Sequence, residues 1–128
     1  MLRQASKELA FAACLGLGFH SLPIRWYTRK LDDPTADRFD VLIKLAMLLE
    51  DAGDAERAAK RFQEALVLKP HDSNLFWELG CLREKQGKRA EAVEWYEKAF
   101  AAPPMAGETE AFRAALAERI KTLRTGLS

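Results

Sequence analysis

The sequence predicts an all-α fold built from antiparallel helix hairpins stacked in a row. Three observations carry this. The chain of 128 residues is rich in Ala, Leu, Glu, Lys and Arg, which favour helix. Apolar side chains recur at spacings of three and four, the period of one helix face. A set of turn formers, small residues and aromatics then recurs 34 positions later. A chain of this length is one ordinary domain, able to bury roughly two thirds of its unfolded surface. Its 20 Lys plus Arg against 19 Asp plus Glu leave a net charge of +1. That supplies no overall field for a phosphate backbone, so no nucleic-acid partner is expected. Two cysteines, Cys14 and Cys81, cannot form a disulfide framework.

The 34-residue offset sets residues 39–72 over 73–106 without a gap. Leu45 then falls over Leu79, Gly53 over Gly87, Ala58 over Ala92, Phe62 over Tyr96, Ala65 over Ala99 and Pro70 over Pro104. Residues 1–38 echo this frame at a separation of 69, with Gly18 against Gly87, Trp26-Tyr27 against Trp95-Tyr96, and Pro34 against Pro103. They are expected to form a degenerate hairpin, its helices near 3–17 and 22–32. Pro23 sits acceptably in the opening turn of the second helix. Leu9–Phe19 is an uncharged run after a basic start, too short to span a bilayer. It is read as a buried first helix, or else as a cleaved or anchoring segment within 1–20.

In the repeat 39–72, Leu42, Leu45, Ala46 and Leu49 share one face of a helix over about 36–52. Gly53 tolerates the positive φ past its end, and Asp54 caps the next helix. That helix carries Ala58, Phe62, Ala65 and Leu66 inward and stops before Pro70. The repeat 73–106 follows the same logic. Asp72 or Ser73 is the N-cap, with Phe76, Leu79, Gly80 and Leu82 along one helix. Gly87 makes the turn, Ala92, Tyr96 and Ala99 line the next helix, and Pro103 and Pro104 end it. Residues 107–128 hold a seventh helix near 108–125. Its face of Phe112, Ala115, Leu116, Ile120 and Leu123 caps the stack.

The second copy, with Phe76, Leu79, Gly80, Ala92, Tyr96, Ala99 and Pro104, resembles the tetratricopeptide repeat. The first copy is looser, with Leu42 for the usual aromatic and Ala46 for Gly, and Arg83 departs from the pattern in the second. The resemblance implies a right-handed α-solenoid of about seven helices. It also implies a concave face, lined by the first helix of each hairpin, that receives a protein or peptide. Carried onto this sequence, that face presents Asp40, Ile43, Met47, Glu50 and Asp51, then Asn74, Trp77, Cys81, Glu84 and Lys85, with Glu108 and Arg119 from the cap. Ile43, Met47, Trp77 and Glu78 stand where several groups of a Lys/Asn/Arg clamp for peptide C-termini would be needed, so such a clamp is disfavoured. Trp77 is left over from the inward packing. It either anchors a partner or bridges to a neighbouring hairpin.

No motif supports catalysis, metal binding or a cofactor. His20 and His71 lie in turns without second ligands at metal spacing. Arg25, Trp26, Tyr27, Arg29 and Lys30 interleave bases and aromatics, and the repeat frame already explains the aromatics. The expectation is a non-enzymatic, cytoplasmic interaction module. Its partner is a protein or peptide segment of apolar or amphipathic type with some basic character. Membrane contact is expected only through residues 1–20, in an exported or membrane-tethered assembly factor. The size and repeat type also suit a secretion chaperone or a self-associating oligomer.

Overall fold

A computed structural model describes residues 18–103 and 107–126, and these form helices without strands. Six helices follow in order: α1 (Ser21–Lys30), α2 (Arg38–Asp51), α3 (Ala55–Leu68), α4 (Ser73–Lys85), α5 (Arg89–Ala101) and α6 (Glu110–Thr125). The helix expected near 3–17, with Cys14, lies outside the described residues, as does Pro104. The chain divides into two compact units, Met1–Arg61 and Phe62–Ser128, the boundary falling within α3.

In the first unit α1 packs on α2. Pro23 is buried in the opening turn of α1, where its missing N–H breaks no helical bond. Lys30 lies 5.2 Å above the Trp26 ring, as their helical spacing predicts, and Trp26 meets Tyr27 edge to face at 4.8 Å. Tyr27 is only half-buried, unlike its echo Tyr96. Past α1, Asp33 caps a turn by accepting from the Thr35 hydroxyl at 2.6 Å and the Thr35 N–H at 2.9 Å, with Lys30 Nζ at 3.2 Å. These bonds from Thr35, and then Lys30, hold the Asp33 carboxyl down at about 2. A carboxyl depressed in the fold adds stability that is complete above its unfolded value near 3.9 and is lost as pH falls toward about 2. Thr35→Val is therefore expected to raise the Asp33 midpoint, followed by carboxyl carbon NMR, and to move acid unfolding to higher pH.

α2 is capped by Asp37, whose side chain accepts from the Asp40 N–H. It buries Leu42, Leu45, Ala46 and Leu49 as predicted, and Val41 besides. Both predicted glycine turns close in the same way. At Gly53 (φ 85°) the Gly53 N–H reaches the Glu50 carbonyl and the Asp54 N–H reaches that of Leu49. At Gly87 (φ 76°) the corresponding bonds run to Glu84 and Arg83. This pair of bonds is the Schellman arrangement, and it needs a residue at ease with positive φ. Asp54 then caps α3 through the Arg57 N–H at 3.2 Å.

In the second unit α4 packs on α5 and α5 on α6. Asp72 is the N-cap of α4, accepting from Asn74 and Leu75, while Ser73 is the first helical residue and is buried. The buried face of α4 is Leu75, Leu79, Gly80 and Leu82. Phe76, expected within it, sits at its edge and stacks on Trp95 at 6.2 Å. Arg83, at the departure from the repeat pattern, reaches Glu91 at 3.2 Å and Gln86 at 2.9 Å. Ala92, Val93, Tyr96 and Ala99 of α5 form one core with Leu116, Ile120 and Leu123 of α6. Ala115, expected on that face, is exposed. α6 starts at the Thr109 cap, whose hydroxyl accepts from the Phe112 N–H.

Candidate functional site

In the second unit α4 packs directly on α5 at Gly80. A Cβ added to Gly80 would collide with the Tyr96 ring, so Gly at this position lets the ring lie on the α4 backbone. The ring also contacts Trp77 at 5.2 Å between centroids, and Trp77 in turn meets Phe112 of α6 at 5.5 Å. Trp77 thus packs partly against the cap, while its remaining face lines a cavity of about 300 Å³ with Cys81, Glu84, Lys85, Tyr96 and Arg119.

The polar groups of this cavity are tied together. The Tyr96 hydroxyl donates to Glu84 Oε1 at 2.9 Å and lies 3.4 Å from Cys81 Sγ. Arg119 donates through Nε to the same Glu84 oxygen at 3.0 Å and pairs with the carboxylate again through Nη2. Burial first, and then the neighbouring Cys81, push the Tyr96 phenol well above its ordinary value, so it stays a donor. The result is an aromatic wall with a charge-paired edge.

Of the predicted residues, Trp77, Cys81, Glu84 and Lys85 share this cavity, and Arg119 of the cap joins them. Asn74 is exposed in the first turn of α4 and does not line it. Glu108, expected on the binding face, instead has a side chain only 4% exposed and paired with Arg113 at 3.2 Å. Sequence reasoning missed Tyr96 as a site residue, because a core aromatic whose hydroxyl surfaces elsewhere leaves no local signal. In the other unit, Asp40, Ile43, Met47 and Glu50 recur at helical spacing on α2. Met47 is 56% exposed, Ile43 is half-buried, and Asp40 pairs with Lys44 at 2.9 Å. Asp51 is engaged by His20 at 3.3 Å.

Glycine-closed helix connections 34 residues apart, small residues at the helix crossing and a side-chain-lined cavity on the first helix of a repeat define an α-helical repeat protein. Residues 73–104 match the family model of the tetratricopeptide repeat. This part of the chain is a tetratricopeptide repeat. The chain is similar to the photosystem I assembly protein Ycf3 of Prochlorococcus marinus (strain NATL1A), 30% identical over 76 residues, or 58% of this chain and 44% of that one. Ycf3 of Synechococcus sp. (strain CC9311) is likewise 30% identical over 77 residues. The chain spans less than half the length of these curated relatives. Among solved structures, PcrH in complex with the chaperone binding region of PopD has a similar fold (TM-score 0.72, 12% identity). That match covers 98% of this chain and 96% of PcrH. The Sgt2 TPR domain from Aspergillus fumigatus is also similar, with a TM-score of 0.67 and 23% identity over 99% of this chain and 80% of that domain. Among the described residues no helix is long and apolar enough to cross a membrane.

Proposed function

We propose that the protein is a non-enzymatic interaction module that binds a short apolar or amphipathic segment of a partner protein and serves as a scaffold or assembly factor. The cavity beside Trp77 carries this reading. Its aromatic wall takes an apolar side chain, and Glu84, Lys85 and Arg119 at its edge orient the backbone or a charged neighbour. The stripe Asp40, Ile43, Met47 and Glu50 on α2 is proposed to contribute contacts of its own, Met47 adapting to an irregular apolar surface. Asn74 is proposed to contact the same partner from the first turn of α4.

Trp77→Ala is expected to weaken partner capture by more than about 1 kcal/mol while the helical circular dichroism persists. Because Trp77 also touches Phe112, Lys85→Glu serves beside it as a variant at an exposed position. Unchanged capture by both folded variants would overturn the reading. A second reading, a chaperone dedicated to one client, is supported by the fold shared with PcrH. PcrH is solved with the chaperone binding region of PopD, and a client segment of this chain is proposed to occupy the cavity beside Trp77. Co-expression distinguishes the readings, because a dedicated chaperone keeps one client soluble whereas a scaffold joins two or more proteins.

A further inference from the structure

The unit Met1–Arg61 carries its own cavity, of about 690 Å³, which none of the residues of the proposed site lines. Arg25 and Arg29 of α1, Arg57 from the first turn of α3, and His20 stand around it, with Ile24 and Ala52 supplying apolar surface. Arg25 and Arg29 are exposed, and among the described residues neither forms an ion pair. Two nearby acids pair with residues of this same rim. Asp51 meets His20 at 3.3 Å and Asp54 meets Arg57 at 3.5 Å, and neither carboxylate lines the cavity. Arg57 is thus shared with Asp54, and the positive character of the concavity comes from Arg25 and Arg29, whose planar forks match carboxylates in bidentate fashion.

The spacing narrows the occupant. Arg25 and Arg29 are four residues apart on one helix, about 6 Å along its axis. Alternate side chains of an extended chain lie roughly 6.8 Å apart on the same side. An extended segment with acids at every second position therefore presents one carboxylate to each arginine and turns the intervening side chain away from the cavity. The aromatics needed to stack nucleobases do not line the cavity, since Trp26 and Tyr27 pack on each other instead. We propose that this cavity binds an acidic, extended segment of a partner protein, with acids at two positions separated by one residue of any type.

The test uses the full chain and a fluorescent nonapeptide containing Glu-Leu-Glu, read by anisotropy. The wild type is expected to bind it with an affinity that falls as salt rises. A matched Gln-Leu-Gln peptide should not compete. Arg25→Gln with Arg29→Gln should lose at least about tenfold, and Arg57→Gln a smaller factor, with circular dichroism unchanged. Trp77→Ala should bind this peptide like the wild type, which separates the cavity from the α4 site. Equal binding by the folded double variant, or no wild-type binding at millimolar peptide, would sink the proposal. So would tighter arginine-dependent capture of phosphatidylserine vesicles or of oligouridylate, which would reassign the arginines to lipid or RNA.

Discussion

Gly80→Val is expected to lower stability by more than about 3 kcal/mol, read from the midpoint of urea unfolding followed by circular dichroism. Two effects oppose each other. Glycine in a helix interior costs about 1 kcal/mol relative to alanine, so an added side chain helps α4 by itself. The added Cβ, however, meets the Tyr96 ring, which is 1% exposed and enclosed by Ala92, Val93 and Leu116 of the same core. A ring packed against Gly80, Trp77 and this core has little room to swing away, so α4 must move off α5. Gly80→Ala isolates the first methyl and is expected to cost about 1–3 kcal/mol, because overpacking outweighs helix propensity. A gain in stability for Gly80→Ala would show that the two helices separate cheaply.

Tyr96→Ala is the second large effect, expected to cost about 3–5 kcal/mol, as removal of a fully buried aromatic ring does. It withdraws the surface on which Gly80 and Trp77 rest, so the cavity loses a wall along with the core. Tyr96→Phe separates the hydroxyl from the ring. Glu84 then keeps Arg119, and its side chain is 22% exposed, so water replaces the lost donor and the cost is about 1 kcal/mol. The raised phenol adds an alkaline signature. A group whose folded value lies above its unfolded one stabilises the fold below about pH 10, and this contribution fades as pH rises further. Phenolate absorbance from Tyr96 is thus expected to appear together with alkaline unfolding, and Tyr96→Phe to remove that component.

Local sequence carried much of this architecture. Gly53 and Gly87, Asp54 and Asp72, and the buried sets Leu42, Leu45, Ala46, Leu49 and Ala92, Tyr96, Ala99 were legible because each depends on residues within one or two helical turns. The misreadings share a physical origin. Leu75 rather than Phe76 faces inward, and Ala115 faces out. Both pairs of faces differ by a small rotation about the helix axis, and the period of 3.6 leaves that rotation open until a neighbouring helix selects it. Phe76 is accommodated at the edge because Trp95, one helix away, offers a stacking surface there. Glu108 was expected on the groove face since a glutamate before a helix is ordinarily solvated, but its side chain is withdrawn to Arg113 and to the Ser73 hydroxyl at 3.5 Å, which offset its burial.

The candidate site divides along the same line. Trp77, Cys81, Glu84 and Lys85 lie on one helix at spacings of four, three and one, and that spacing alone put them on one side of α4. Helix period, turn chemistry and the 34-residue repeat are short-range properties, so the sequence by itself determined, among the described residues, which segments form helices and where the chain reverses between them. Convergence of the Tyr96 hydroxyl and Arg119 on Glu84, and of Arg57 with Arg25 and Arg29, joins groups from different helices. Only the tertiary structure decided those, because the distance between two helices is set by what packs between them, here a ring resting on Gly80, and no local propensity encodes it.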